Sequence, residues 1–157
     1  MHEFDFYTGV WDVTNRRRKD FLQESCFREE ATEWEEFPAI SRASAYFDGA
    51  ANVDEIEFPT KGMFGLTVRL FDPEREEWAL WWVNKRVGRL TTPVIGRFGE
   101  GRGLFYGDDT FEGRPFRVRY TWSDMTDTSA HWEQAFSMDG EKTWITNWTM
   151  NSTRRPS

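Results

Sequence analysis

The chain has 157 residues, of which 38% are hydrophobic, 30% charged and 17% aromatic, with a formal net charge of −7. That length predicts one domain over residues 1–157 with a core that needs no staples, and the negative charge excludes nucleic acid and anionic membrane surfaces as partners by long-range repulsion. A lone Cys26 forms no internal disulfide, no apolar run reaches the length of a membrane helix, and Met1-His2-Glu3-Phe4-Asp5 lacks the pattern of a signal peptide, so a cytoplasmic protein without membrane insertion is expected.

Taken in order, the first expected element is a strand near 9–18, ending in the basic run Arg16-Arg17-Arg18-Lys19. With Glu29, Glu30, Glu33, Glu35 and Glu36 close behind, that run reads as a solvated or ion-paired strand end. Residues 20–31 carry good helix formers, with Phe27 and Ala31 four apart, and are expected as a short helical or loop cap. Trp34 and Phe37 precede Pro38, so a second strand begins near 33. From about residue 40 strands and tight turns alternate: runs near 41–47, 51–58, 63–71, 77–85, 94–98, 102–109, 114–122, 130–138 and 143–153 are separated by turn signals such as Phe47-Asp48-Gly49 and Asp139-Gly140. This spacing predicts an all-β fold, a single antiparallel up-and-down barrel of about ten strands.

Nine tryptophans stand mostly at alternate positions of these runs. Side chains alternate between the two faces of a strand, so each late strand carries one aromatic face. Leu80 and Trp82, Tyr120 and Trp122, Trp132 and Gln134, and Trp148 and Met150 are therefore the expected lining of a ligand cavity. Gln134, an amide among rings, either orients a ligand's polar atom or finds a partner within the sheet. Trp78 to Val83 is apolar on both faces, which requires a cover on the outside, either the early cap or a second subunit in a homodimer.

Catalytic and metal readings find little footing. His131 and Glu133 share a face, the spacing of a proton relay, but that face is opposite to Trp132 and Gln134. Arg117 and Arg119 likewise take the outer parity, and Asp108 and Asp109 point to opposite faces. One Cys and two His are too few for a zinc site, so no metal, no catalytic residue and no cofactor are assigned. Gly99-Glu100-Gly101-Arg102-Gly103 leads into a strand rather than a helix, and reads as a hairpin turn rather than a phosphate loop.

Gly9-Val10-Trp11 resembles the Gly-x-Trp that opens calycin barrels, the lipocalins and fatty-acid-binding proteins. The resemblance implies that Trp11 plugs one barrel end against Arg154 or Arg155 of the last strand, and that residues 20–31 serve as a lid. The stretches Asp48-Gly49-Ala50-Ala51-Asn52-Val53-Asp54-Glu55, Trp132-Glu133-Gln134-Ala135-Phe136-Ser137 and Thr143-Trp144-Ile145-Thr146-Asn147-Trp148 also resemble a family of small bacterial calycin-like proteins, which implies the fold and no particular activity. Haem-binding calycins need a histidine in a late strand, where this chain has Asn147, Met150 and Asn151. The expected function is binding of a small, largely apolar molecule in the cavity. Two alternatives are an enzyme that isomerises or cyclises a hydrophobic substrate there, and a structural or interaction protein whose core is filled by its own rings.

Overall fold

The computed structural model describes residues 1–30 and 33–156. Ten antiparallel strands follow one another in chain order: β1 (Gly9–Arg18), β2 (Trp34–Tyr46), β3 (Ala51–Phe58), β4 (Met63–Asp72), β5 (Glu77–Asn84), β6 (Val94–Gly99), β7 (Arg102–Phe111), β8 (Arg114–Ser123), β9 (Ser129–Ser137) and β10 (Ile145–Arg154). Each pairs with its neighbours in sequence, and β10 returns to β1, so the sheet is a closed up-and-down barrel with no free edge.

Alternation decides what points inward. In β8 the side chains of Phe116, Val118 and Trp122 are buried, while Arg117 and Arg119 turn outward to Asp108 and to the Trp144 ring. In β1, Trp11, Val13 and Asn15 are buried between exposed Asp12, Thr14 and Arg16. The alternation breaks at one place: the β9–β10 register shifts between Thr146 and Trp148, a bulge at Asn147. With Asn147 as the extra residue, Trp148 and Met150 after it face the interior and line the cavity.

Pro38 sits inside β2, where a missing N–H would ordinarily break a ladder. It is tolerated because β3 pairs with β2 only from Ile40 onward, so the stretch around Pro38 is bonded on the β1 side alone.

One end of the barrel is packed by the chain's first residues. A 3-10 turn over Asp5–Tyr7 folds beneath it and inserts Phe4, whose ring centroid lies 4.9 Å from Trp78 and 5.0 Å from Phe98 in edge-to-face contact. Phe4, Trp11, Trp78 and Phe105 are each 1% exposed or less.

The other end carries the segment between β1 and β2. Of the short helix or loop expected over 20–31, the described residues form a loop with a four-residue 3-10 turn, Glu24–Phe27; Ala31 lies outside them. Buried Arg18 is the reason. Its guanidinium takes the carbonyls of Ser25 at 3.1 Å and Arg28 at 2.8 Å, acceptors that a continuing helix would need for itself. The segment still caps the barrel, with Phe21 and Phe27 packed on Phe136, Trp148, Phe111 and Phe116 at the rims of β7 to β10.

That position leaves the outer face of β4 to β6 bare of the cap expected over it. Trp81 and Val83 are only partly buried there, beside Leu66, Leu70 and Ile95, each 38–41% exposed.

Candidate functional site

Between the packed end and the cap the barrel holds a cavity of about 750 Å³. All eight side chains expected as its lining reach it: Leu80, Trp82, Tyr120, Trp122, Trp132, Gln134, Trp148 and Met150. The strands that bring them together are β5, β8, β9 and β10, with Tyr120 opposite Gln134 and Gln134 opposite Trp148 across the ladder. Tyr120 and Trp132 meet edge to face at 5.1 Å, and Trp132 and Trp148 at 5.9 Å.

Trp82 owes its position to a glycine on the next strand. A Cβ added at Gly65 would stand 2.1 Å from the Trp82 ring, so the indole lies flat against the bare backbone of β4. Any other residue there would push it into the chamber or out of line.

The floor is polar and held together. Arg69 pairs with Asp54 at 2.7 Å and donates to the Asn52 side-chain oxygen at 2.7 Å, and its guanidinium faces the rings of Phe4, Tyr7 and Trp122 at 5.0–5.7 Å. Both charged side chains are almost wholly buried, at 3% and 6% exposure, so each is satisfied chiefly by the other. Tyr7 stands beside them; burial first, and then the charge of Asp54, push its phenol up to about 12.

Sequence parity missed this floor. Asn52 and Asp54 share a face with Ile56 and Phe58, both buried, and polar residues on an apolar face are the signal that could have found them.

Gln134 has the in-sheet partner that one reading required: its amide N–H donates to the Asn147 side-chain oxygen at 2.9 Å, in the bulge. It also lines the cavity, so one side of the amide is anchored and the other faces the chamber. Next to it, the Tyr120 hydroxyl has no hydrogen-bond partner among the described residues. Burial first, and then Asp109, push its phenol up to about 12, so it stays protonated across the working pH range.

At the mouth, Arg17 points inward rather than into solvent. Its guanidinium covers Trp148, Phe37 and Phe21 at 4.8–5.3 Å and bonds Glu35 at 3.0 Å, and Glu35 also accepts from Lys61 at 3.0 Å. Burial raises the Glu35 pKa, but the hydrogen bonds and charges of Lys61 and Arg17 outweigh it and hold the carboxyl below its ordinary range. The basic run is thus divided: Arg16 stacks outside on Trp34, Arg17 enters the cavity wall, and Arg18 is buried on Asp20.

At the opposite end the Arg154 guanidinium lies 4.3 Å over the Trp11 ring, a contact worth about 0.5–2 kcal/mol, and donates to the carbonyls of Phe6, Thr8 and Asp127. Gly9 makes room for it: a Cβ there would stand 2.7 Å from an Arg154 nitrogen, and its φ of +125° suits glycine. Arg155 takes no part in this plug. It points outward and clasps Asp12 at 2.8–3.0 Å.

Outside the barrel, His131 bonds Asn151 at 2.7 Å and Glu133 at 3.0 Å. Burial depresses its pKa, and the two hydrogen bonds with the charge of Glu133 more than reverse that, leaving it raised. Neither residue is among the side chains that line the chamber, although Trp132 between them is. Asp108 pairs with Arg117, and both Asp108 and Asp109, exposed, border the cavity at its rim. Gly101 sits in the β6–β7 hairpin turn.

Fold and chamber together define a class: a closed ten-stranded antiparallel barrel, plugged by its N-terminal segment, capped between its first two strands, and walled by aromatic side chains. No protein-family model and no curated protein matches this chain.

Proposed function

We propose that this protein is a calycin-like carrier that reversibly binds a small, largely apolar molecule inside the barrel. The observation that carries the reading is the chamber of about 750 Å³ walled by Trp82, Trp132 and Trp148, because ligand sites are concave, mostly apolar and of this size. Apolar surface transferred from water to these rings contributes about 25 cal/mol per Å², enough for a bicyclic or long-chain molecule to bind without any charged contact. Gly9-Val10-Trp11 under Arg154 supports the calycin assignment, since it is the plug that such barrels share.

Titration with retinol, a long-chain fatty acid and a polyaromatic tests this reading through tryptophan emission. At least one should quench or shift it saturably. Met150→Trp, which fills the chamber from β10, should weaken that response at least tenfold while the far-ultraviolet circular dichroism stays that of the native barrel. No response to any of the three would remove the binding reading.

A further inference from the structure

Charge along the chamber is distributed unevenly. At the floor Arg69 is neutralised by Asp54 at 2.7 Å and donates to Asn52 at 2.7 Å, while its buried Nε has no partner among the described residues. An incoming carboxylate would have to displace Asp54 or sit beside it, and an incoming cation would meet Arg69. At the mouth Glu35 occupies both Arg17 and Lys61. Arg86, Asp108 and Asp109 also border the chamber, but all three are exposed residues at its rim, in water. Deeper in, on β8 and β9, the polar groups among the rings are uncharged.

Two of them stand side by side. Tyr120 on β8 and Gln134 on β9 are direct cross-strand partners, so their side chains emerge on the same face about 5 Å apart. Gln134 is fixed from behind by Asn147 at 2.9 Å, and Trp132 packs on Tyr120 at 5.1 Å, so neither group swings freely. The Tyr120 hydroxyl, held in its protonated form, can both donate and accept; the free side of the Gln134 amide complements it.

We propose that the ligand is electrically neutral, and that Tyr120 and Gln134 together bind a hydroxyl or carbonyl group on it while its apolar body lies among Trp82, Trp132 and Trp148. This rests on the binding reading above and narrows it to a ligand class. An ion placed between Tyr120 and Gln134 loses its hydration beside two uncharged groups, with the nearest buried charge, Arg69, already neutralised by Asp54, whereas a hydroxyl or carbonyl exchanges its water for two fixed partners.

Calorimetric titration at pH 7 with 2-naphthol, 2-naphthoate, 2-naphthylmethylammonium and naphthalene tests it, because the four share one apolar body. 2-Naphthol should bind at least tenfold more tightly than either ion. Tyr120→Phe and Gln134→Leu should each weaken 2-naphthol about three- to tenfold and leave naphthalene within twofold, which separates a lost hydrogen bond from a damaged chamber. Tighter binding of either ion, or equal losses for 2-naphthol and naphthalene in both variants, would overturn the assignment while leaving apolar binding intact. Absence of binding by all four, together with silence towards the larger panel, would remove both.

Discussion

Both ends of this barrel set an arginine on an indole, yet one end is packed shut and the other borders the cavity. Arg154 over Trp11 donates to carbonyls of the N-terminal segment and of the β8–β9 connection, and rings exposed by 5% or less surround it. Arg17 over Trp148 is held by one carboxylate shared with Lys61, beneath a cap whose Leu22 is 54% exposed. The difference lies in what crosses the opening. Residues 1–8 drive Phe4 and Tyr7, both buried, into their end, whereas residues 19–30 lie across theirs on Phe21 and Phe27, which stay only partly buried and border or adjoin the cavity. The cation–aromatic contact is therefore compatible with either role, and the chain segment beside it decides which.

This contrast can be broken most forcefully at the sealed end. Trp11→Ala removes a fully buried indole that stacks on Tyr7 at 4.9 Å, and should lower the unfolding free energy by about 3–5 kcal/mol in urea titrations. A loss below 1 kcal/mol would show that this end is not the stable half of the molecule.

Between the two ends, Gly65→Ala should cost about 1–3 kcal/mol, since the added carbon falls on the Trp82 ring and neighbouring strands resist displacement. The same variant should change ligand affinity, because Trp82 forms part of the wall. Unaltered stability together with unaltered tryptophan emission would mean that the indole is free to move.

The smallest effect belongs to the cap and appears only in acid. Burial raises the Asp20 pKa, but hydrogen bonds from Arg18 at 3.0 Å and Ser25 at 2.6 Å hold it below the ordinary aspartate value. A carboxylate with a depressed folded pKa contributes stability that is complete above its unfolded pKa, about 3.9, and disappears as pH falls through the folded value. Protease cleavage at Leu22 should thus be constant from pH 7 to 5 and rise only below about pH 4. Acceleration already between pH 7 and 5 would place the clasp on some other group.

Much of the fold was legible in the chain. Strand positions followed from turn residues and period-two alternation, since both are local: a turn needs particular residues at particular backbone angles, and a strand shows its two faces residue by residue. The chamber's apolar wall was legible for the same reason, as Trp132 beside Gln134 and Trp148 beside Met150 show. For the cap, propensity left a short helix and an ordered loop equally open. Arg18, acting from another element, captured the carbonyls that the helix required.

By itself, then, the sequence determined a ten-strand aromatic meander and the side chains that would share its inner face. Only the tertiary structure decided that Arg17 and Arg69 belong inside, that Arg154 rather than Arg155 sits on Trp11, and that a bulge at Asn147 turns Trp148 inward and anchors Gln134. Alternation is a property of one strand. Whether a charge can be buried depends on a partner such as Asp54 arriving from another strand, and no local pattern records that meeting.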